Sequence, residues 1–208
     1  MTGAACSTAP AKLNELWKAL HDALQNPGGC DAESYRHCEV LQAEIARLAI
    51  NCPNSPEVLM ANAVLAFRGH QLARSQQLLD QLLSLQADYP EAASLRARIA
   101  LQDGNLRFAL RFLEEQLQRF AEDPGLHETF AFAFYLAKRW DEAAAQLQLA
   151  ARLGAPAWRV AYGMGLVEES RGRYAEAKAG YEEAEKARPG WPQPAGRLRA
   201  LAAAGKIS

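Results

Sequence analysis

The sequence predicts an all-α solenoid of helix-turn-helix repeats, and three observations carry that expectation. Matching residues recur every 34 positions from about Ser55 onward. The recurring positions separate into small and bulky columns. Within each period, apolar residues fall at helical spacing, with a turn signal in the middle. The small columns are Ala63, Ala97, Ala131 and Gly165, then Ser75, Ala109, Ala143 and Ala177. The bulky ones are Leu72, Leu106, Trp140 and Tyr174, then Leu79, Leu113, Leu147 and Tyr181, while Pro56, Pro90, Pro124 and Pro192 mark most unit boundaries. Equal spacing of four units is the signature of a stack in which each repeat buries its apolar face on the next.

Residues 1–10 carry Gly, Ala, Ser, Thr and Pro without periodicity and are expected to form a flexible leader. From Lys12 the pattern becomes helical, with Leu13, Leu16, Trp17, Leu20 and Leu24 on one stripe, until Asn26-Pro27-Gly28-Gly29 breaks it. A second helix, N-capped by Asp31, presents Tyr35, Cys38, Leu41, Ile45 and Leu48 and stops at Asn51-Cys52-Pro53. This hairpin over residues 11–54 does not keep the columns and is expected to be a divergent first unit that caps the stack.

Four repeats then occupy about residues 56–89, 90–123, 124–157 and 158–191, within a region spanning 55–191. Their turns are visible at Arg68-Gly69-His70, Asp103-Gly104-Asn105, Lys138-Arg139-Trp140-Asp141 and Arg171-Gly172-Arg173, where Gly is expected to supply the left-handed helix stop. Small residues let the paired backbones approach, and the bulky ones one turn away fill the remaining space. Residues 192–208 read as a C-terminal capping helix and tail, with Leu198 and Leu201 on its apolar stripe.

These columns resemble the tetratricopeptide repeat family, most clearly in the last unit, where Gly165, Gly172, Tyr174, Ala177, Tyr181, Ala184 and Pro189 stand at that family's signature spacings. Ala131, Phe134, Trp140, Ala143 and Ala150 match in the third. The first two units depart from it, since Asn62 and Arg96 stand where the family usually has Leu, and Ser75 where it has Ala. The resemblance covers roughly residues 55 to 190 and implies a right-handed solenoid whose first helices line a concave groove. Carried over residue by residue, the groove positions are Met60, Val64 and Phe67 in the first repeat, Arg98 and Leu101 in the second, Phe132 and Tyr135 in the third, and Arg159, Tyr162 and Leu166 in the fourth. Phe130 and Phe134 share one helical face, whereas Phe132 is turned about 200° from Phe130. Phe132 and Tyr135 therefore face either the groove or the first helix of the next repeat. Such a lining suits an amphipathic or extended peptide with apolar anchors and a few acids.

No chemistry of catalysis stands out. The histidines His21, His37, His70 and His127 are scattered, and Cys30, His37 and Cys38 diverge on a helix, so neither a metal site nor a cofactor is expected. Phosphate-binding glycine motifs are absent. The pairs Glu114-Glu115, Glu168-Glu169 and Glu182-Glu183 read as solvated helix faces among Arg and Lys. Trp17, Trp140, Trp158 and Trp191 read as packing residues.

A formal charge of −1 on 208 residues gives no field that would gather nucleic acid. The densest bias is basic, at Lys186, Arg188, Arg197, Arg199 and Lys206, and reads as a solvated cap face. No apolar run reaches the length of a membrane span. Cys30, Cys38 and Cys52 are expected to be free thiols, because neighbours eight residues apart on one helix lie about 12 Å apart. As written, the chain is expected in the cytoplasm. Gly3-Ala4-Ala5-Cys6-Ser7 resembles the end of a bacterial lipoprotein cleavage site, and if the true start lies upstream, lipidation at Cys6 would make it a periplasmic lipoprotein.

The expected function is that of a non-catalytic adaptor binding a protein or peptide segment in its groove. The alternatives are a bacterial export or pilus-assembly chaperone, or a lipid-anchored assembly factor, using the same groove. A further one is a structural homo-oligomer whose groove is filled by its own leader or a second copy.

Overall fold

The computed structural model describes residues 11–16, 18 and 35–207. The regular structure among them is α-helical. Residues 11–16 are helical, and ten further helices follow: α1 (Tyr35–Asn51), α2 (Pro56–Arg68), α3 (Leu72–Leu85), α4 (Pro90–Gln102), α5 (Leu106–Leu117), α6 (Pro124–Leu136), α7 (Trp140–Arg152), α8 (Ala157–Ser170), α9 (Tyr174–Ala187) and α10 (Pro192–Ala203). The chain divides into two compact units between Ile99 and Ala100, inside α4.

In the first unit α2 pairs with α3, and α1 packs on α2. Its core gathers Leu59, Ala63, Leu79, Leu82, Ala92, Leu95 and Ile99. Each departure from the column pattern in this unit has a polar partner. The Ser75 hydroxyl donates to the Ala63 carbonyl at 2.7 Å, joining two small columns across the hairpin. Buried Asn62 donates to the carbonyls of Val58 at 2.9 Å and Ile45 at 3.4 Å, the latter on α1. Arg96 donates to Asp80 at 2.8 Å, tying α4 to α3. A buried amide left without such acceptors would cost on the order of 1–3 kcal/mol, so Asn62 specifies how α1 seats. The segment 11–16 buries Leu13, and Lys12 lies 3.4 Å from Glu44 of α1.

In the second unit α6 pairs with α7 and α8 with α9, while α5, α7 and α10 pack on α6, α8 and α9 respectively. Two cores result, one of Ala131, Phe134, Ala143, Ala144, Leu147 and Val167, the other of Ala177, Tyr181 and Leu201 with Leu198 and Tyr174 against it. The approach of α8 to α9 is closest at glycines. A Cβ on Gly165 would stand 2.6 Å from the Tyr181 ring, and one on Gly180 would stand 3.0 Å from the Ala161 carbonyl oxygen and the Gly165 Cα.

The turn inside every repeat is the same double hydrogen-bonded helix stop. The amides of Gln71, Asn105, Arg139 and Arg173 donate to Ala66, Ala100, Phe134 and Glu168, and those of His70, Gly104, Lys138 and Gly172 donate to Phe67, Leu101, Tyr135 and Glu169. The left-handed residue is therefore His70, Gly104, Lys138 or Gly172, with φ between 57° and 77°. In the first repeat this corrects the expectation that glycine supplies the stop: Gly69 has φ −80°, and His70 takes the left-handed place. Hydrogen-bond register, rather than side-chain type, fixes which residue turns over.

Two further expectations are overturned. Cys52 is 2 % exposed and disulfide-bonded, with a partner whose side chain lies outside the described ones. The rise along a helix limits only cysteines on that helix, and Cys52 lies just past the end of α1. The Glu168-Glu169 pair is not a solvated face either: the side chains are 12 % and 18 % exposed and paired with arginines. Helical periodicity hides this because the partners Arg171 and Arg173 stand past the end of α8 and Arg197 stands on α10. The leader with Cys6, the Asp31 cap, Trp17, Leu20 and Leu24 lie outside the described residues.

Candidate protein-binding site

The first helix of each repeat carries the residues expected to meet a partner, and the two units are treated separately. In the first, Met60, Val64 and Phe67 on α2 are half-buried and pack against the Leu59–Ile99 core. Arg98 is exposed, its guanidinium carbon 5.2 Å from the centre of the Phe67 ring, an arrangement that favours the cation over the ring face.

In the second unit Leu101 is 7 % exposed, leaving little surface for a partner to touch. Phe132 is 44 % exposed, while Tyr135 is half-buried against the Ala131–Val167 core, and its hydroxyl accepts from Ser170 Oγ at 3.3 Å. Their rings stack with centres 6.4 Å apart and planes 15° from parallel, so Phe132 is backed on one side and open on the other. Phe130 and Phe134 pack together at 4.2 Å on a different face of α6, as their spacing requires.

On α8, Arg159 is exposed with Nη2 3.0 Å from Glu128 Oε2 of α6. Tyr162 and Leu166 are half-buried against the Ala177–Leu201 core. The Tyr162 ring meets Tyr181 at 5.6 Å and Trp191 at 4.8 Å, and Trp191 meets Trp158 edge-on at 4.6 Å. Burial raises the Tyr162 phenol above its usual range. Below this cluster Tyr181 donates to Glu169 at 2.5 Å, and Glu169 is also bound by Arg197 of α10. Desolvation, followed by the bond to Glu169, pushes the Tyr181 phenol strongly up, while that carboxylate raises Arg197. Tyr162, Tyr181 and Arg197 stay in one charge state near neutral pH, which suits a structural clamp between α8, α9 and α10 rather than acid-base work.

The sequence pattern does not single out three residues of the α6–α8 face: Glu128, Leu136 and Ser170. Glu128 and Leu136 stand four residues on either side of Phe132, so the i, i+4 rule applied outward from Phe132 would find them. Ser170 carries no pattern of its own. Among the described residues no group of three or more His, Cys, Asp or Glu could hold a metal ion, and no helix is long and apolar enough to cross a membrane.

No protein-family model matches the chain, and no curated protein matches it. Solved structures do. TTC0263, a thermophilic TPR protein of Thermus thermophilus, superposes with a TM-score of 0.72 at 18 % identity, covering 89 % of this chain and 97 % of that one. A tetratricopeptide repeat protein of Parabacteroides merdae gives a TM-score of 0.70 at 17 % identity, over 92 % and 80 % of the two chains. YrrB, a TPR protein with an unusual peptide-binding site, gives 0.56 at 10 % identity over 96 % and 100 %. The chain therefore has the tetratricopeptide repeat fold, a stack of helical repeats.

Proposed function

We propose that the protein is a non-catalytic adaptor that holds a segment of another protein on the first-helix face of its second unit, centred on Phe132. The observation that supports this most is the Phe132 ring, 44 % exposed on a helix whose other phenylalanines pack inward. Arg159, Tyr162 and Leu166 are the further lining residues of that unit in this reading. Replacing Phe132 with Ala removes no buried contact of the size that a core phenylalanine makes. The expected outcome is at least about tenfold weaker capture of the partner from the native cell, with the melting temperature kept within a few degrees. Unchanged capture, or a melting temperature collapsed along with it, would remove Phe132 from the site.

A second reading, supported by the disulfide at Cys52, makes the same face the working surface of an export or pilus-assembly chaperone or lipid-anchored assembly factor. Disulfides persist in oxidising compartments and are rare in the cytosol. Thiol alkylation of protein from its native cell, before and after reduction, tests this. Cys52 labelled only after reduction supports an exported protein; Cys52 labelled beforehand eliminates it.

A further inference from the structure

We infer that the segment held at the α6–α8 face is anchored by apolar side chains and needs no acidic residue, an inference that rests on the binding reading above. Read from the sequence, Arg159 beside Phe132 and Tyr135 invites a partner carboxylate. The geometry points the other way, because the Arg159 guanidinium already lies against a carboxylate of the same face, and the Tyr135 hydroxyl against Ser170. At one end Glu128 of α6 holds the Arg159 guanidinium of α8 at 3.0 Å. At the other end Tyr135 of α6 is bonded to Ser170 of α8 at 3.3 Å. Between these two bridges stands the open side of the Phe132 ring, and one turn further along the same helix Leu136 is 41 % exposed.

A partner carboxylate reaching Arg159 would have to displace Glu128 or share its cation. Exchanging one carboxylate for another on a guanidinium returns little free energy, and a displaced Glu128, with a side chain only 16 % exposed, would be left beside the incoming charge. An apolar side chain laid on Phe132 and Leu136 displaces no such partner and removes two exposed hydrophobic surfaces from water. The face thus selects a segment whose contact positions are aliphatic or aromatic and whose binding draws nothing from an acidic residue.

The test is fluorescence anisotropy of the full chain with three short synthetic peptides. They share Leu and Phe anchors at helical spacing and differ only in their spacers, which are Gln and Ser, Glu and Asp, or Lys. The expected result is that the neutral peptide binds at least as tightly as either charged one, and that its affinity changes less than about threefold between low and high salt. F132A weakens it by about tenfold or more, and F132L restores it. A preference of about tenfold for a charged peptide, lost in R159Q or at high salt, overturns this inference and leaves the binding reading standing. No saturable binding by any peptide, or binding untouched by F132A, overturns both.

Discussion

At the scale of single residues, positions that break the repeat pattern in the first unit each find a polar partner. Ser75 replaces a small apolar residue and uses its extra oxygen on the Ala63 carbonyl; Asn62 replaces a bulky one and binds Ile45 across to α1. Neither partnership is readable from spacing, because the acceptors are backbone carbonyls with no side-chain signature. Phe132 and Tyr135 show a related limit. Periodicity separates Phe132 from Phe130, but only packing decides that the Tyr135 hydroxyl reaches Ser170 while Phe132 stays open. Arg159 is legible as a cation on a helix, whereas its pairing with Glu128 is not, since the two stand 31 positions apart.

At the scale of elements, α2, α4 and α6 begin at Pro56, Pro90 and Pro124, where proline at the first helical position costs no hydrogen bond. The helix stops are harder to place. Left-handed residues recur at 70, 104, 138 and 172, a spacing of 34, yet only two of the four are glycine. His70 and Lys138 hold a conformation that costs a residue with a Cβ about 1 kcal/mol relative to glycine. Both are exposed, and no side-chain packing is lost on replacement. Lys138→Gly is therefore expected to raise the melting temperature by about 2–4 °C. A scanning calorimetry trace with no rise, or with a fall, would mean that the turn is not strained at that position.

At the scale of the whole molecule, the 34-residue period makes the fold class legible because every repeat solves the same packing problem with the same residue sizes. What it leaves open is what the repeats hold, since a packing code is silent about surfaces. Cysteine pairing escapes the sequence for a comparable reason: spacing within one helix says nothing about a partner elsewhere in the chain. The central claim is that the α6–α8 face, and not α7, meets the partner. It is tested most directly by placing a photo-crosslinking residue at position 132 and, in a parallel protein, at exposed position 148 on α7, then irradiating in the native cell. The account predicts one discrete adduct from position 132 and none from 148. The same adduct from 148, with nothing from 132, would contradict it.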